Sequence, residues 1–221
     1  MKEDLSEATV FVVDDDPHVR DSTRWLLESS GFHVRVFPDA ASFQTAFDPE
    51  RPGCIVLDIR MPDRNGLGLQ EDLMAGGVEI PVIFITAHGD VPQSVQAMRR
   101  GAWDFLEKPY DPRQLVATVE AAVRHDLKRH RSSRKQVAYS GRFARLTPRE
   151  REVALEVAGG RSSKEVARRL GLSPRTVDVH RYRLMEKMQA RSVAHLVKML
   201  VQLGEEIPEP EEPDPDLESL M

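Results

Sequence analysis

The chain has 221 residues, 40% hydrophobic and 30% charged, with a net charge of -5, a size and composition that suit two small domains, each with its own core. The single cysteine, Cys54, excludes a disulfide framework or a cysteine metal site and reads as a core thiol in a reducing, cytoplasmic setting. No apolar run reaches the roughly 20 residues that cross a bilayer, so a soluble protein with no membrane partner is expected.

The net charge hides a segregation. Residues 1–122 carry -10, 123–142 carry +6, 143–203 carry +7 and 204–221 carry -8. An acidic domain, a basic connector, a basic domain and an acidic tail form the asymmetry expected when one part alone meets a polyanion, with nucleic acid the leading candidate.

In the N-terminal half, short buried-type strands at about 8–13, 33–37, 54–58, 81–86 and 103–106 alternate with helices beginning near Pro17, Asp39, Leu67, Val91 and Asp111. Gly31 and Gly101 stand where helices should stop, Pro17 and Pro112 where they should start. The alternation predicts a flavodoxin-like α/β fold with a five-stranded parallel sheet of order 2-1-3-4-5. The carboxyl ends of such strands open into one crevice, and Asp14 and Asp15, Asp58, Thr86 and Lys108 each follow a strand. Clustered carboxylates call for a hard divalent cation, Mg²⁺. A lysine and a hydroxyl opposite can hold phosphoryl oxygens, so the implied chemistry is phosphoryl transfer onto Asp58. Taken singly these residues have bland readings: Asp14 to Asp16 as a turn capping the next helix, and Lys108 as a surface charge.

Residues 123–142 are expected to extend the last of these helices as a basic helical linker and then to become a flexible link. From Thr147 onward helix punctuation is dense. Thr147-Pro148-Arg149-Glu150 and Ser162-Ser163-Lys164-Glu165 are capping boxes, and Leu170-Gly171-Leu172-Ser173-Pro174 ends one helix and caps the next at helix-turn-helix spacing. The following helix, from Pro174 to about Met188, has Val177, Leu184 and Met188 on one face as anchors. It leaves Arg175, Asp178, Val179, Tyr182 and Arg183 more exposed. A last helix capped by Ser192 carries an apolar stripe at Val193, Leu196, Val197 and Leu200. Residues 204–221 are rich in Glu, Asp and Pro and are expected to be a disordered tail that competes with DNA for the basic domain.

Residues 8–122 resemble the receiver domain of two-component response regulators, on Asp14-Asp15, Asp58, Met61-Pro62-Asp63, Gly66, Thr86 and Lys108-Pro109. Residues 143–203 resemble the LuxR-type helix-turn-helix, on Leu146 to Glu152 and on Ser173 to His180. Together they look like the FixJ/NarL class, a narrower match carried by Ala87 to Pro92 and Phe105 to Pro109. The resemblance implies a receiver at 1–122 followed by an all-α, four-helix DNA-binding domain at 143–203. It implies Asp58 as phospho-acceptor, Mg²⁺ on Asp58, Asp15 and the backbone carbonyl of Arg60, and Asp14 assisting through bound water. Thr86 and Lys108 would contact phosphoryl oxygens, the Lys108-Pro109 bond would be cis, and Phe105 would be a switch aromatic, the alternative being a permanently buried core phenylalanine. His88 would tune the lifetime of the phosphate or be an ordinary loop residue.

The same resemblance points to Asp178, Val179 and Tyr182 as nearest to base edges, and to Lys164, Arg175, Thr176, His180 and Arg183 as phosphate or mixed contacts. A carboxylate facing DNA is repelled by phosphate, so Asp178 is expected to orient a neighbouring arginine, with acceptance from a cytosine amino group as the alternative. Relatives commonly carry asparagine beside Lys164 where this chain has Ser163, which puts one contact in doubt. The expected partners are a sensor histidine kinase, double-stranded promoter DNA and a second copy of the chain upon phosphorylation, with RNA polymerase a further candidate. The expected function is a transcriptional regulator controlled by phosphorylation, its only self-directed chemistry being phosphate gain and loss at Asp58. The rivals are a phosphorylation-independent DNA-binding regulator and a metal-dependent phosphohydrolase. The last is weakened because Asp14-Asp15-Asp16 lacks the D-x-D-x-[TV] pattern of such enzymes.

Overall fold

A computed structural model describes residues 5–62, 64–86 and 91–209, with residues 91–94 as backbone alone. Asp63, the 87–90 stretch with His88, and the tail from 210 onward lie outside the described residues. The chain divides into two compact units, with the division after Arg131.

The first unit alternates strand and helix: β1 (Thr9–Val13), α1 (Pro17–Ser29), β2 (His33–Phe37), α2 (Ala40–Ala46), β3 (Gly53–Asp58), α3 (Gly66–Ala75), β4 (Val82–Thr86), α4 (Val91–Arg99), β5 (Asp104–Glu107) and α5 (Pro112–Phe143). All strand pairings are parallel, in the order β2-β1-β3-β4-β5. The three inner strands β1, β3 and β4 are buried at every position, which is why they read as unbroken apolar runs rather than as alternation. Side chains pointing to opposite faces of each strand feed two cores. One holds Phe11, Phe37 and Phe43, whose rings meet edge to face at 5.6 Å for Phe11–Phe43 and Phe37–Phe43. The other packs Val10, Val12, Cys54 and Ile83 under α1 and α5. Cys54 is fully buried there, and its thiol is pushed well above its ordinary range by that burial and by the charge of Asp126.

Local chemistry sets the boundaries. Asp16 caps α1 by accepting from the His18 N–H at 2.8 Å, with Pro17 at the first helical position. Gly53 is required because a Cβ there would lie 1.9 Å from the Thr9 carbonyl oxygen of the neighbouring strand.

α5 extends into 123–142 as the sequence predicts, but differs in where the first unit ends and in the expected flexible stretch. It is a single helix of 32 residues through Phe143, so no flexible link interrupts 123–142. Val123, Asp126 and Leu127 are buried in the first unit, beyond the expected boundary at 122. Asp126 makes this possible: its Oδ2 accepts from the Gly53 N–H at 2.8 Å, and its Oδ1 accepts from Arg129 Nε at 2.9 Å.

The second unit contains α6 (Pro148–Ala158), α7 (Ser163–Leu170), α8 (Pro174–Met188) and α9 (Val193–Leu203). Both capping boxes form as the spacing predicts. Gly171 closes α7 in the left-handed region at φ 63° and lets α8 start three residues later. The core contains Val153, Val157, Val166, Val177, Leu184 and Met188. On α9 the buried stripe is Leu196, Met199 and Leu200, so the helix is rotated from the expected one and Val193 is exposed.

The expected tail begins with placed residues. After Gly204, Ile207 packs against the core of the second unit and the Glu209 carbonyl accepts from Arg161 Nη2 at 2.7 Å. Disorder is therefore the wrong description of 204–209.

Candidate functional site

The parallel order brings the carboxyl ends of β1 and β3 side by side, because Val13 pairs with Leu57. The residues that follow, Asp14 and Asp58, are both buried. Asp15 is exposed beside them, and carboxylate oxygens of Asp14, Asp15 and Asp58 all lie within 4.8 Å of one another.

Lys108 arrives from β5. Its N–H donates to the Thr86 carbonyl at 2.8 Å, and the Lys108-Pro109 peptide is cis, as the resemblance implies. Its Nζ donates to Asp14 Oδ2 at 2.8 Å and to Asp58 Oδ2 at 2.7 Å. Burial works to lower the lysine pKa, but the two carboxylates outweigh it and raise it above its ordinary range. Burial also lifts the Asp14 carboxyl above the usual aspartate range, against the opposing bonds from Lys108 and the Asp16 N–H.

Backbone donors fix the remaining oxygens. The Arg60 N–H donates to Asp58 Oδ1 at 3.0 Å, and the Asp16 N–H to Asp14 Oδ1 at 2.9 Å. Arg20, which the sequence reading did not single out, holds the turn by donating from Nη1 to the carbonyls of Asp14 (2.7 Å) and Asp15 (2.9 Å). Gly66 allows α3 to start against the site, since a Cβ there would lie 2.3 Å from the Asp58 carbonyl oxygen.

Three carboxylates against one ammonium leave two negative charges in excess among oxygen donors, which fits a hard divalent cation. Thr86 is buried at the end of β4, one residue past the partner of Asp58. Phe105 on β5 is 42% exposed, so the alternative of a permanently buried core residue does not hold. Val95 and Met98 of α4 are exposed as well.

In the second unit, Lys164, Arg175, Asp178, Val179, Tyr182 and Arg183 are all exposed on α7 and α8, while Thr176 and His180 are half-buried. Thr176 is engaged in the α8 cap, its N–H donating to Ser173 Oγ at 3.1 Å and the two hydroxyls meeting at 2.7 Å. Asp178 accepts from Ser163 Oγ at 2.7 Å. Arg181 Nη1 reaches the same hydroxyl at 3.4 Å. The expected pairing of Asp178 with an arginine is thus replaced by a tie to Ser163, the residue standing where asparagine was expected. The Tyr182 hydroxyl donates to Glu186 at 3.0 Å, which raises the phenol pKa.

The description "response regulator receiver domain" fits residues 10–120, and "bacterial regulatory proteins, luxR family" fits 144–200. The transcriptional regulatory protein FixJ of Azorhizobium caulinodans is 44% identical over 195 residues, spanning 88% of this chain and 92% of that protein. FixJ of Bradyrhizobium diazoefficiens is 41% identical over 195 residues, spanning 88% and 95%. The structure of the response regulator StyR matches with a TM-score of 0.79 at 42% identity, over 89% of this chain and all of that one.

The chain belongs to the two-component response regulators that join a receiver to a LuxR-type DNA-binding domain, the FixJ/NarL class. It is a DNA-binding transcriptional regulator controlled by phosphorylation. Among the described residues no helix is long and apolar enough to cross a membrane.

Proposed function

We propose that Asp58 is the carboxylate phosphorylated in this protein, by a sensor histidine kinase or by a small phosphodonor. One observation carries the reading: Lys108 touches both Asp14 and Asp58 through its side chain while its backbone is tied to Thr86. A single residue thereby links the reacting carboxylate to the strand that would sense it.

In the reaction an oxygen of Asp58 forms a bond to phosphorus as the donor's bond to phosphorus breaks. Asp58 supplies the nucleophile, and its neighbours position groups and offset charge. The Arg60 N–H holds one carboxylate oxygen in place. Lys108 and the Thr86 hydroxyl take oxygens of the arriving phosphoryl group. Asp14, Asp15, Asp58 and the Arg60 carbonyl would hold Mg²⁺, which offsets the charge of the acidic pocket and of the phosphoryl group.

Phosphorylation draws Thr86 toward the phosphoryl group and Phe105 inward from its exposed position. This repacks α4 and β5, and the exposed Val95 and Met98 of α4 supply a homodimer face. Two copies then present their α8 helices to half-sites about one helical turn apart. In each, Val179 and Tyr182 face base edges, and Lys164, Arg175 and Arg183 face phosphates. Asp178 and Ser163 hold α7 and α8 in register, with Thr176 and His180 at the edge of the contact.

The test is sedimentation of the full chain with a small phosphodonor and Mg²⁺, followed by selection of bound sequences from a random duplex library. Wild type should pass from monomer to dimer and enrich a two-fold-symmetric site, whereas Asp58→Ala should do neither. Equal enrichment by both proteins would favour phosphorylation-independent binding.

A further inference from the structure

We infer that in the DNA-free chain residues 210–221 dock on the basic face of α7 and α8, as a tethered competitor of DNA. The inference rests on reading the second unit as the DNA-binding one.

The first ground is where the chain is delivered. Gly204 ends α9 at φ 76°, Ile207 packs on the core, and the Glu209 carbonyl accepts from Arg161 at 2.7 Å. Arg161 is itself buried, with its Nη1 3.1 Å from Glu156. Gly159 makes room for this strap, because a Cβ there would lie 2.5 Å from the Pro208 carbonyl oxygen. The strap thus leads the chain to the α6–α7 turn, three residues before Lys164.

The second ground is what stands at that exit. Lys164, Arg175 and Arg183 are exposed, and none has an ion-pair partner among the described residues. Arg149 and Lys187, by contrast, are engaged with Glu152 and with the buried Glu150.

The third is the charge and reach of the segment itself. Residues 210–221 hold five carboxylates, Glu211, Glu212, Asp214, Asp216 and Glu218, and no cation. Twelve residues extend to roughly 40 Å, whereas α8 is only about 22 Å long, so its whole exposed face is within reach of a segment anchored at Arg161. Tethering over so short a span gives an effective concentration in the mM range, enough for a weak polyanion contact to be populated. The segment and the DNA backbone offer the same sign of charge to the same cations. Nonspecific DNA, which adds no base contacts, is displaced more readily than a specific site.

The experiment uses the full chain with Glu211, Glu212 and Glu218 changed to Gln and Asp214 and Asp216 to Asn. Backbone amide shifts without DNA and affinity for a mixed-sequence duplex are both compared with wild type. The neutralised chain should show shifted amides at Lys164, Arg175 and Arg183, and should bind the duplex roughly 3- to 10-fold tighter at ~50 mM salt. That gain should shrink toward unity by ~300 mM as screening grows. Ile207→Ser, which frees the strap without altering charge, should give an intermediate gain because the tether lengthens. Identical amide shifts in wild type and neutralised chain would overturn the docking. Shifted amides with equal affinity at low salt would overturn the competition. Shifted amides with no duplex binding by either protein would uphold the docking and sink the DNA-binding reading instead.

Discussion

Lys108 is held by two carboxylates at once, so removing its charge leaves Asp14 and Asp58 facing each other across the crevice with no cation between them. A hydrogen bond to a charged group contributes about 1.5–3 kcal/mol, and Lys108→Met should therefore slow phosphoryl uptake roughly 10- to 100-fold. Intact-mass time courses with a small phosphodonor measure it; an unchanged rate would remove Lys108 from the reaction. In the reader, Ser163→Ala removes the hydroxyl that ties α7 to Asp178. About 1 kcal/mol of stability should be lost, with little change in salt dependence, since no charge is altered. Asp14, Asp58 and Lys108 were legible in the sequence because they follow short apolar strands, and parallel topology sends strand ends to one place. Arg20 was not, because a clamp on two carbonyls has no pattern in sequence, only a position in space.

Among the elements, α5 and α6 carry the clearest tests. Asp126 is fully buried in the middle of α5, where it satisfies the Gly53 N–H and pairs with Arg129. Asp126→Ala strands the buried Gly53 N–H and removes one of the two carboxylates paired with Arg129, and should destabilise the receiver by about 3 kcal/mol. Both tryptophans, Trp25 and Trp103, lie in the receiver, so denaturant unfolding followed by their fluorescence reports on it. At the start of α6, Glu150 is buried against Lys187 (2.6 Å) and the Thr147 N–H (2.8 Å). Burial alone would raise its pKa, but these partners outweigh it and hold it below the ordinary glutamate range. A depressed folded value means that the stabilisation is full above the unfolded pKa of about 4.3 and is lost as pH falls through the folded value. Hydrogen-exchange protection of the reader's amides should fall over that range in wild type, and Glu150→Gln should flatten the dependence. The capping boxes were readable because they are local. The unbroken run of α5 through Phe143, the rotation of α9 and the docking of Ile207 were not, because long-range packing decides each of them. A basic run reads as solvated link or helix alike until Asp126 and Leu127 find the receiver core.

For the whole molecule, the charge segregation seen in the sequence maps onto an acidic unit that gathers Asp14, Asp15 and Asp58 and a basic unit that presents cations on two helices. DNA affinity should therefore fall steeply with salt. Arg175→Ala and Lys164→Ala should each reduce the magnitude of the logarithmic salt slope by about 1, uniformly across sequences. Tyr182→Ala should instead change which sequences are enriched. The central claim, that the acidic crevice makes Asp58 a phospho-acceptor, is met most directly by the intact mass of the full chain after incubation with a small phosphodonor and Mg²⁺, compared with Asp58→Ala. Wild type should gain one phosphoryl group and the variant none. Equal gain in both proteins would place the phosphate elsewhere. No gain in either would mean that the crevice does not take phosphate.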